Sequence, residues 1–476
     1  MESMKLKYIL RGIPSIEVRG SKEIEISGVS ADSRTVAPGN VFIAKKGEKY
    51  DGGQFIGQAV EAGAAAIVTD FYDPFVSLTQ IICPSPGGLE ASLAARFFRR
   101  ASTELFVVGV TGTKGKTTTS YLIRHLLEGL HEATGLIGTV ETIIGDNRQS
   151  SRLTTLDAIA NQKLLREMVN CGCKNAVMEV SSHGLEQGRV DEIAFDIALF
   201  TNLYPDHLDY HPNIEAYALA KAKLFEHLKG LAIVNADSPW SDFMKGGKRR
   251  VTFGIEKSAD VRAQDIRLSR HGAEFSVGGV LFKTPLMGRF NVYNILGAIA
   301  VGLEKGASLN TIAEILATTP QVPGRLERVS NQQGIAIFVD YAHNGEAMEN
   351  VLVALREMAP KRIILVFGAG GNRDPRRRSG MGKVAEKGAD LSIVTTDNPR
   401  NEDSKEIEAQ VLSGFRHPEK VLLEPDRKKA IELAIQTAKT GDFVLIAGKG
   451  HEKVQIFAHQ TVPFDDVAVA KEALQM

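Results

Sequence analysis

The sequence predicts an α/β protein of three domains, and three observations carry that prediction. Its 476 residues correspond to about three domains at roughly 150 residues each. Two long stretches alternate strand-like and helix-like segments, the pattern of largely parallel sheets covered by helices. The first of these stretches opens on Val110-Thr111-Gly112-Thr113-Lys114-Gly115-Lys116-Thr117-Thr118, a glycine-bearing loop between a strand and a helix. The expected domains are residues 1–102, 103–325 and 326–476.

Composition narrows the function classes. Hydrophobic residues at 43% and charged residues at 24% are ordinary for a globular chain with a full core. Lys plus Arg and Asp plus Glu both total 57, so no global field directs the chain to nucleic acid or anionic lipid. Ligands must then be recognised locally, and neither a nucleic-acid partner nor membrane insertion is expected. Cys83, Cys171 and Cys173 are too few for a disulfide framework. Cys171-Gly172-Cys173 has no second ligand pair at metal-binding spacing, so reduced thiols and a cytoplasmic location are expected. Met1-Glu2-Ser3-Met4-Lys5 leads into no signal-peptide core, and apolar runs such as Leu296–Leu303 are too short to span a bilayer.

The N-terminal stretch mixes short strands with turns: strands over Glu23–Val29 and Val41–Ala44, and a helix over Val60–Ala65 feeding Ala66-Ile67-Val68. From Leu105 the alternation begins. Leu105–Val110 reads as a buried strand, and Thr117–Glu128 as a helix with Tyr121, Ile123, Leu126 and Leu127 at its apolar positions. Asn175–Val180, Ile197–Thr201 and Leu231–Asn235 continue the strands.

Unpaired N–H donors at the positive end of a helix dipole make the loop before that helix a phosphate site. Lys116 can neutralise phosphate charge, and Thr117 can ligate magnesium. The spacing departs from Gly-x4-Gly-Lys-Thr, because position 110 is valine and the first glycine is Gly112. The flanking strand and helix supply the required context, and the central domain reads as P-loop ATPase-like.

Three further residues each admit two readings. Glu179 ends a strand, where sheets of this type open onto the ligand crevice. It completes a metal shell or is a solvated strand-end acid. His207, in Asn202-Leu203-Tyr204-Pro205-Asp206-His207-Leu208-Asp209, is a second ligand or a surface and capping residue. Lys221 shares one helix face with Tyr217, Leu224, Phe225 and Leu228. It snorkels outward, or it is desolvated and its amine becomes a weaker base and better nucleophile.

Pro320 and Val322-Pro323-Gly324-Arg325 punctuate the chain before a second alternating unit. Its strands are expected at Ile335–Asp340, Arg362–Phe367, Leu391–Thr395, Val421–Glu424 and Phe443–Ala447, with helical spacing over Arg427–Ala438. This unit reads as Rossmann-like and doubly wound, but Gly368-Ala369-Gly370-Gly371-Asn372-Arg373 lacks the Gly-x-Gly-x-x-Gly spacing. A dinucleotide redox enzyme is disfavoured.

Taken in order, these motifs resemble the Mur ligase family, the ATP-dependent amide-bond-forming enzymes of peptidoglycan precursor synthesis. The likeness spans nearly the whole chain. It comprises the Thr111–Thr118 loop, Glu179-Val180-Ser181-Ser182-His183, and Asn202 followed by Asp206-His207-Leu208-Asp209-Tyr210-His211. It continues through Gly288–Asn294, Gly324-Arg325-Leu326-Glu327, Asp340-Tyr341-Ala342-His343, Asp397-Asn398-Pro399-Arg400 and Ala447-Gly448-Lys449-Gly450-His451-Glu452.

The resemblance implies a ligase adding meso-2,6-diaminopimelate to the D-glutamyl γ-carboxylate of UDP-N-acetylmuramoyl-L-alanyl-D-glutamate through an acyl phosphate. It implies ATP as substrate and Mg2+ as cofactor. It assigns Gly112, Thr113, Lys114, Gly115, Lys116, Thr117 and Thr118, with Asn294, Arg325 and Asp340, to the nucleotide. Thr117 and Glu179 are implied to serve one magnesium ion, and His207 with a carbamylated Lys221 the other. The N-terminal domain is implied to bind the UDP moiety at Ser33, with Thr154, Thr155, Ser181 and Arg189 on the muramoyl-dipeptide. Capping and turn roles are common for such Ser and Thr residues.

Asp397, Asn398, Pro399 and Arg400, with Arg373, Gly448 and Glu452, are implied to hold diaminopimelate. Arg400 and Arg373 suit its distal carboxylate, and Glu452 its ammonium. The L-lysine-adding ligase of the same family is the alternative, and a lysine would leave a guanidinium unpaired. A monomer is expected. Asn344-Gly345-Glu346, Ala369 and Arg377-Arg378-Ser379 depart from the family's usual residues. Folylpolyglutamate synthetase shares the expected central fold but fits Asp397–Arg400 poorly. A nucleotide switch leaves Glu179, His207 and Lys221 without a purpose.

Overall fold

The computed structural model of the chain describes residues 3–47, 50–208, 210–226 and 228–475; Asp209 of the expected motif lies outside them. The chain forms two compact units, residues 1–260 with 300–305 and residues 261–299 with 306–476.

The first unit contains two larger sheets, beside a two-stranded pairing of Met4–Lys5 with Glu25–Ile26. In the N-terminal one the strands run in the order Glu17–Arg19, Thr79–Ile82, Ala66–Thr69, Asn40–Ile43, Gly28–Ser30. Its pairs are parallel except at Glu17–Arg19. Leu6, Ile9, Leu93, Ala94 and Phe97 pack against it from two helices. The expected strand over Glu23–Val29 is divided into Glu25–Ile26 and Gly28–Ser30, which join different sheets.

The second sheet of this unit has the order Asn147–Ser150, Glu141–Ile144, Thr134–Ile137, Asn175–Glu179, Phe106–Thr111, Ile197–Phe200, Leu231–Asn235, Arg249–Gly254. From Thr134–Ile137 onward all pairs are parallel. The strands Phe106–Thr111, Asn175–Glu179, Ile197–Phe200 and Leu231–Asn235 are almost wholly buried, which is why they read as largely apolar runs without alternation, whereas the edge strand Arg249–Gly254 starts exposed. The expected helix starts one residue early, at Lys116–Gly129. The antiparallel hairpin Glu141–Ile144 and Asn147–Ser150 was not anticipated, since its outer strand Asn-Arg-Gln-Ser is polar and exposed throughout.

In the second unit, Gln264–Ser269, Gly272–Val277 and Val280–Thr284 form an antiparallel sheet, on which Phe275 and Phe282 stack at 5.5 Å. The larger sheet runs Glu327–Val329, Ala336–Asp340, Phe443–Ala447, Ile363–Phe367, Leu391–Val394, Leu422–Leu423. Only its first pair is antiparallel. Met348, Leu352, Met381 and Ala385 cover one face, and Ala430, Ile431, Ala434 and Ala470 the other. The architecture is α/β, as the alternation predicted.

Candidate active site

Three neighbouring strands of the first unit, Phe106–Thr111, Asn175–Glu179 and Ile197–Phe200, run parallel. Their C-terminal ends therefore bring the loops 112–115, 180–183 and 201–208 to one edge of the sheet. Gly112 has φ +146, and a Cβ there would stand 1.9 Å from Thr201 Oγ1, so only glycine fits. Asn202 ties the loop down from the neighbouring strand end. Its carbonyl accepts from Thr113 N at 2.9 Å, its Oδ1 from Lys114 N at 2.9 Å, and its Nδ2 donates to Lys114 O at 3.1 Å.

Lys116 Nζ donates to the carbonyls of Gly112 at 2.8 Å and Thr113 at 3.0 Å. Lys221, 1% exposed, reaches the same loop: its Nζ lies 2.9 Å from Gly112 O and 4.4 Å above the Tyr217 ring. Snorkelling is excluded. Burial, then the neighbouring Lys116 charge, hold its amine well below the usual lysine range, against the opposing pull of Asp206.

Glu179 is likewise buried, at 1% exposure. Its carboxylate accepts from Thr117 Oγ1 at 3.0 Å, Thr139 N at 2.8 Å and Thr139 Oγ1 at 2.9 Å. The solvated strand-end reading is thereby excluded. His207 is exposed as a residue and takes φ +55, yet its ring stands 5.1 Å from that of His183 and 6.1 Å from that of Tyr217. Desolvation of the ring in this position outweighs the Asp206 carboxylate and, with the His183, Lys116 and Lys221 charges, lowers the imidazole pKa to about 4.

The residues expected around the dipeptide gather at Glu179. Thr155 Oγ1 donates to Glu179 O at 3.0 Å and lies 3.1 Å from Ser181 Oγ, and Thr139 Oγ1 bonds Thr154 Oγ1 at 3.1 Å. Arg189 Nη1 donates to Thr155 O at 2.8 Å. Ser181 also caps the helix Ser182–Glu186. Ser33 is held elsewhere, in the short 3-10 turn Ser33–Thr35 that follows the strand Gly28–Ser30, where its Oγ donates to Gln58 Oε1 at 2.7 Å.

The second unit assembles its own constellation at the C-terminal ends of its parallel strands. Asp340 accepts from Leu326 N at 2.7 Å and Ala342 N at 2.9 Å, and the Arg325 guanidinium lies 5.1 Å over the Tyr341 ring. Asn294 sits on the helix Arg289–Glu304, where its Nδ2 donates to Asn291 Oδ1 at 2.9 Å.

Arg400, at φ +52, donates from Nη1 to Gly371 O at 2.8 Å. A Cβ on Gly370 would stand 3.0 Å from Arg400 Nη1 and 4.0 Å from Arg373 Cγ, so both arginines flank that glycine. Gly371 N donates to Asn398 O at 2.8 Å, beside Pro399. Asp397 is buried, which raises its pKa against the nearby Arg427 and Lys449 charges. Gly448, at φ +115, leaves room for it: a Cβ would lie 2.5 Å from Asp397 Oδ2. Glu452 Oε2 accepts from Asn398 Nδ2 at 2.7 Å and from the buried Lys449 Nζ at 3.2 Å.

Comparison with known proteins decides the family. The chain is 43% identical over 484 residues to the UDP-N-acetylmuramoyl-L-alanyl-D-glutamate–2,6-diaminopimelate ligase of Chlamydia felis, covering 99% of each chain. It is 41% identical to the ligase of that name from Geobacillus kaustophilus, again covering 99% of each. Models described as the Mur ligase family catalytic domain, the Mur ligase middle domain and the Mur ligase glutamate ligase domain match residues 25–79, 110–302 and 324–450. The chain belongs to the Mur ligase family.

Among solved structures, this Mur ligase is similar to a UDP-N-acetylmuramoyl-L-alanyl-D-glutamate–2,6-diaminopimelate ligase. That match has a TM-score of 0.72 and 32% identity, covering 100% of this chain and 99% of that one. Folylpolyglutamate synthase from Mycobacterium tuberculosis, at 17% identity and TM-score 0.61 over 76% of this chain and 92% of that one, shares the fold alone.

Sequence reading missed Thr139, Lys449 and the clamping role of Asn202 in this Mur ligase. Asn202 stands just past a strand end at the loop's edge, a usable signal. Thr139 reaches Glu179 from a distant segment and leaves no local pattern; Lys449 lies inside the 447–452 motif, and what the sequence could not show is its long-range bond to Asn398. Of the departures from the family's usual residues, Asn344 caps the helix Gly345–Arg356. Arg378, 2% exposed, is an internal strut, donating to Gln410 Oε1 at 2.7 Å and Glu402 Oε1 at 3.0 Å.

Proposed function

We propose that this Mur ligase joins meso-diaminopimelate to the D-glutamyl γ-carboxylate of UDP-N-acetylmuramoyl-L-alanyl-D-glutamate, with ATP as the energy source, in peptidoglycan precursor synthesis. The γ-carboxylate takes the γ-phosphoryl group and ADP leaves. The diaminopimelate amine then attacks the acyl phosphate carbonyl; the C–N bond forms, the C–O bond to phosphate breaks, and the amine loses its proton.

Both substrates of the first step are anions, so positive charge must stand between them. Lys116 serves this, leaving its two loop carbonyls for the phosphates. The Thr117 hydroxyl and Glu179 carboxylate form a hard oxygen pair at 3.0 Å that suits magnesium. Among the described residues no group of three or more His, Cys, Asp and Glu side chains gathers as a metal site. For the second magnesium ion the family resemblance implies His207, whose lowered pKa keeps an imidazole lone pair available, and Lys221 as its carbamate. Magnesium supplies charge neutralisation for the transferring phosphoryl group.

Thr154, Thr155, Ser181 and Arg189 place the dipeptide beside Glu179, Ser33 takes the UDP moiety, and Asn294, Arg325 and Asp340 place the nucleotide. Asp397, Asn398, Pro399, Arg400, Arg373, Gly448 and Glu452 receive diaminopimelate. Two arginines flanking Gly370 favour it over L-lysine, which has no distal carboxylate. We take the domains as residues 1–102, 103–325 and 326–476. We place the chain in the cytoplasm, in keeping with free Cys83, Cys171 and Cys173, and take it to be a monomer; among the described residues no helix is long and apolar enough to cross a membrane.

The observation that carries the reading is the buried Lys221 amine on the Gly112 carbonyl, which a nucleotide switch does not need. Phosphate release should require ATP, the UDP-dipeptide and diaminopimelate together. Hydrolysis independent of the dipeptide and amino acid would overturn it.

A further inference from the structure

Lys449 is fully buried, with a side-chain exposure of 0%, and lies between two segments assigned to the incoming amino acid. Its Nζ donates to Asn398 Oδ1 at 2.9 Å and to Glu452 Oε2 at 3.2 Å. Asn398 Oδ1 also accepts from Ile456 N at 3.0 Å. An ammonium and a backbone N–H can only donate, so both demand the amide oxygen and settle which way the Asn398 amide points. Its Nδ2 is then directed at Glu452 Oε2, 2.7 Å away. The described bonds to the Glu452 carboxylate thus fall on one oxygen, and the side chain remains 29% exposed.

The surroundings make this triangle rigid. Gln455 Nε2 donates to Asp397 O at 2.8 Å, and Arg400 N to Ile456 O at 3.1 Å, so residues 396–400 and 448–456 are sewn into one wall. A carboxylate fixed through one oxygen presents the other in a single direction, which lowers the ordering cost of binding.

We infer that Lys449 is a positioning residue for the amino-acid substrate: it fixes Asn398 and one oxygen of Glu452 so that the second oxygen meets the substrate's distal ammonium. The inference rests on the proposed reading of this pocket. It goes beyond that reading because Lys449 acts through Asn398 and Glu452 without touching the ligand. Its positive charge also tempers Glu452, so that a lone ammonium gains less there than one accompanied by a carboxylate.

Steady-state kinetics of the full chain with Lys449→Met, Glu452→Gln and the double variant test this. Wild-type use of diaminopimelate checks the proposed function separately, since its failure would show before any variant is made. Lys449→Met should raise KM for diaminopimelate at least about tenfold, leaving KM for ATP and for the UDP-dipeptide within about twofold. In the Glu452→Gln background the same replacement should add less than about twofold. Should Lys449→Met fail to fold, Lys449→Leu, which likewise removes the donor and the charge, carries the same expectation. An unchanged KM for diaminopimelate, a parallel rise in all three KM values, or full multiplication in the double variant would overturn the inference.

Discussion

Lys116 and Lys221 donate to the same oxygen, the carbonyl of Gly112, from 2.8 and 2.9 Å. Two ammonium groups so close repel, and only Lys221 is also stripped of water. Its amine is therefore the one driven towards the neutral, nucleophilic form, which is the form that adds CO2. Arginine cannot follow, because its guanidinium stays charged. Lys221→Arg and Lys221→Ala should each lower phosphate release at saturating substrates by about 100-fold or more. An active Lys221→Arg enzyme would remove the carbamate from the account.

Glu179 holds Thr117 and Thr139 with both carboxylate oxygens. Glu179→Gln keeps the shape but loses the anion that the proposed magnesium site relies on. Turnover should fall about 100-fold, and Thr117→Val should shift the magnesium requirement upward with a smaller loss. A magnesium titration of phosphate release reads both.

How much of this was legible in the sequence depends on range. Leu231–Asn235 and Phe443–Ala447 were expected with the bounds the structure gives them, because a strand buried on both faces writes an unbroken apolar run. The hairpin at Asn147–Ser150 escaped because its residues are polar and exposed. Glu179 and Lys221 were singled out by strand end and helix face, but their burial is decided by distant segments. Lys449 shows the limit: Glu452 stands 3 residues away in the same motif, but Asn398 is 51 residues away, and no local pattern reaches that far.

The His207 imidazole has a folded pKa of about 4, below the ordinary 6.5. Between these values the unfolded chain binds more protons than the folded one, so stability falls as pH drops from about 6.5 towards 4. His207→Gln should flatten the dependence of Tm on pH in that window. His451, also near 4, keeps some slope. An unchanged slope would contradict the placement of the His207 ring.

Arg427 and Asp466 form an ion pair at 2.8 Å with both side chains 0% exposed, and Arg427 Nη2 also donates to Ala447 O at 3.0 Å. Asp466→Asn leaves an uncompensated buried guanidinium and should destabilise the fold by about 3–5 kcal/mol in urea unfolding. Replacing both residues by apolar ones of similar size, as in Arg427→Met with Asp466→Leu, should recover part of that loss. A double variant worse than Asp466→Asn would contradict this.

The most direct measurement is the preference for meso-diaminopimelate over L-lysine, read as the ratio of kcat/KM values for tripeptide formation. The wild-type chain should favour diaminopimelate by about 100-fold or more, and Arg400→Met should lose most of that preference by penalising diaminopimelate far more than lysine. Equal use of the two amino acids by the wild-type chain, or an equal penalty on both in Arg400→Met, would contradict the account.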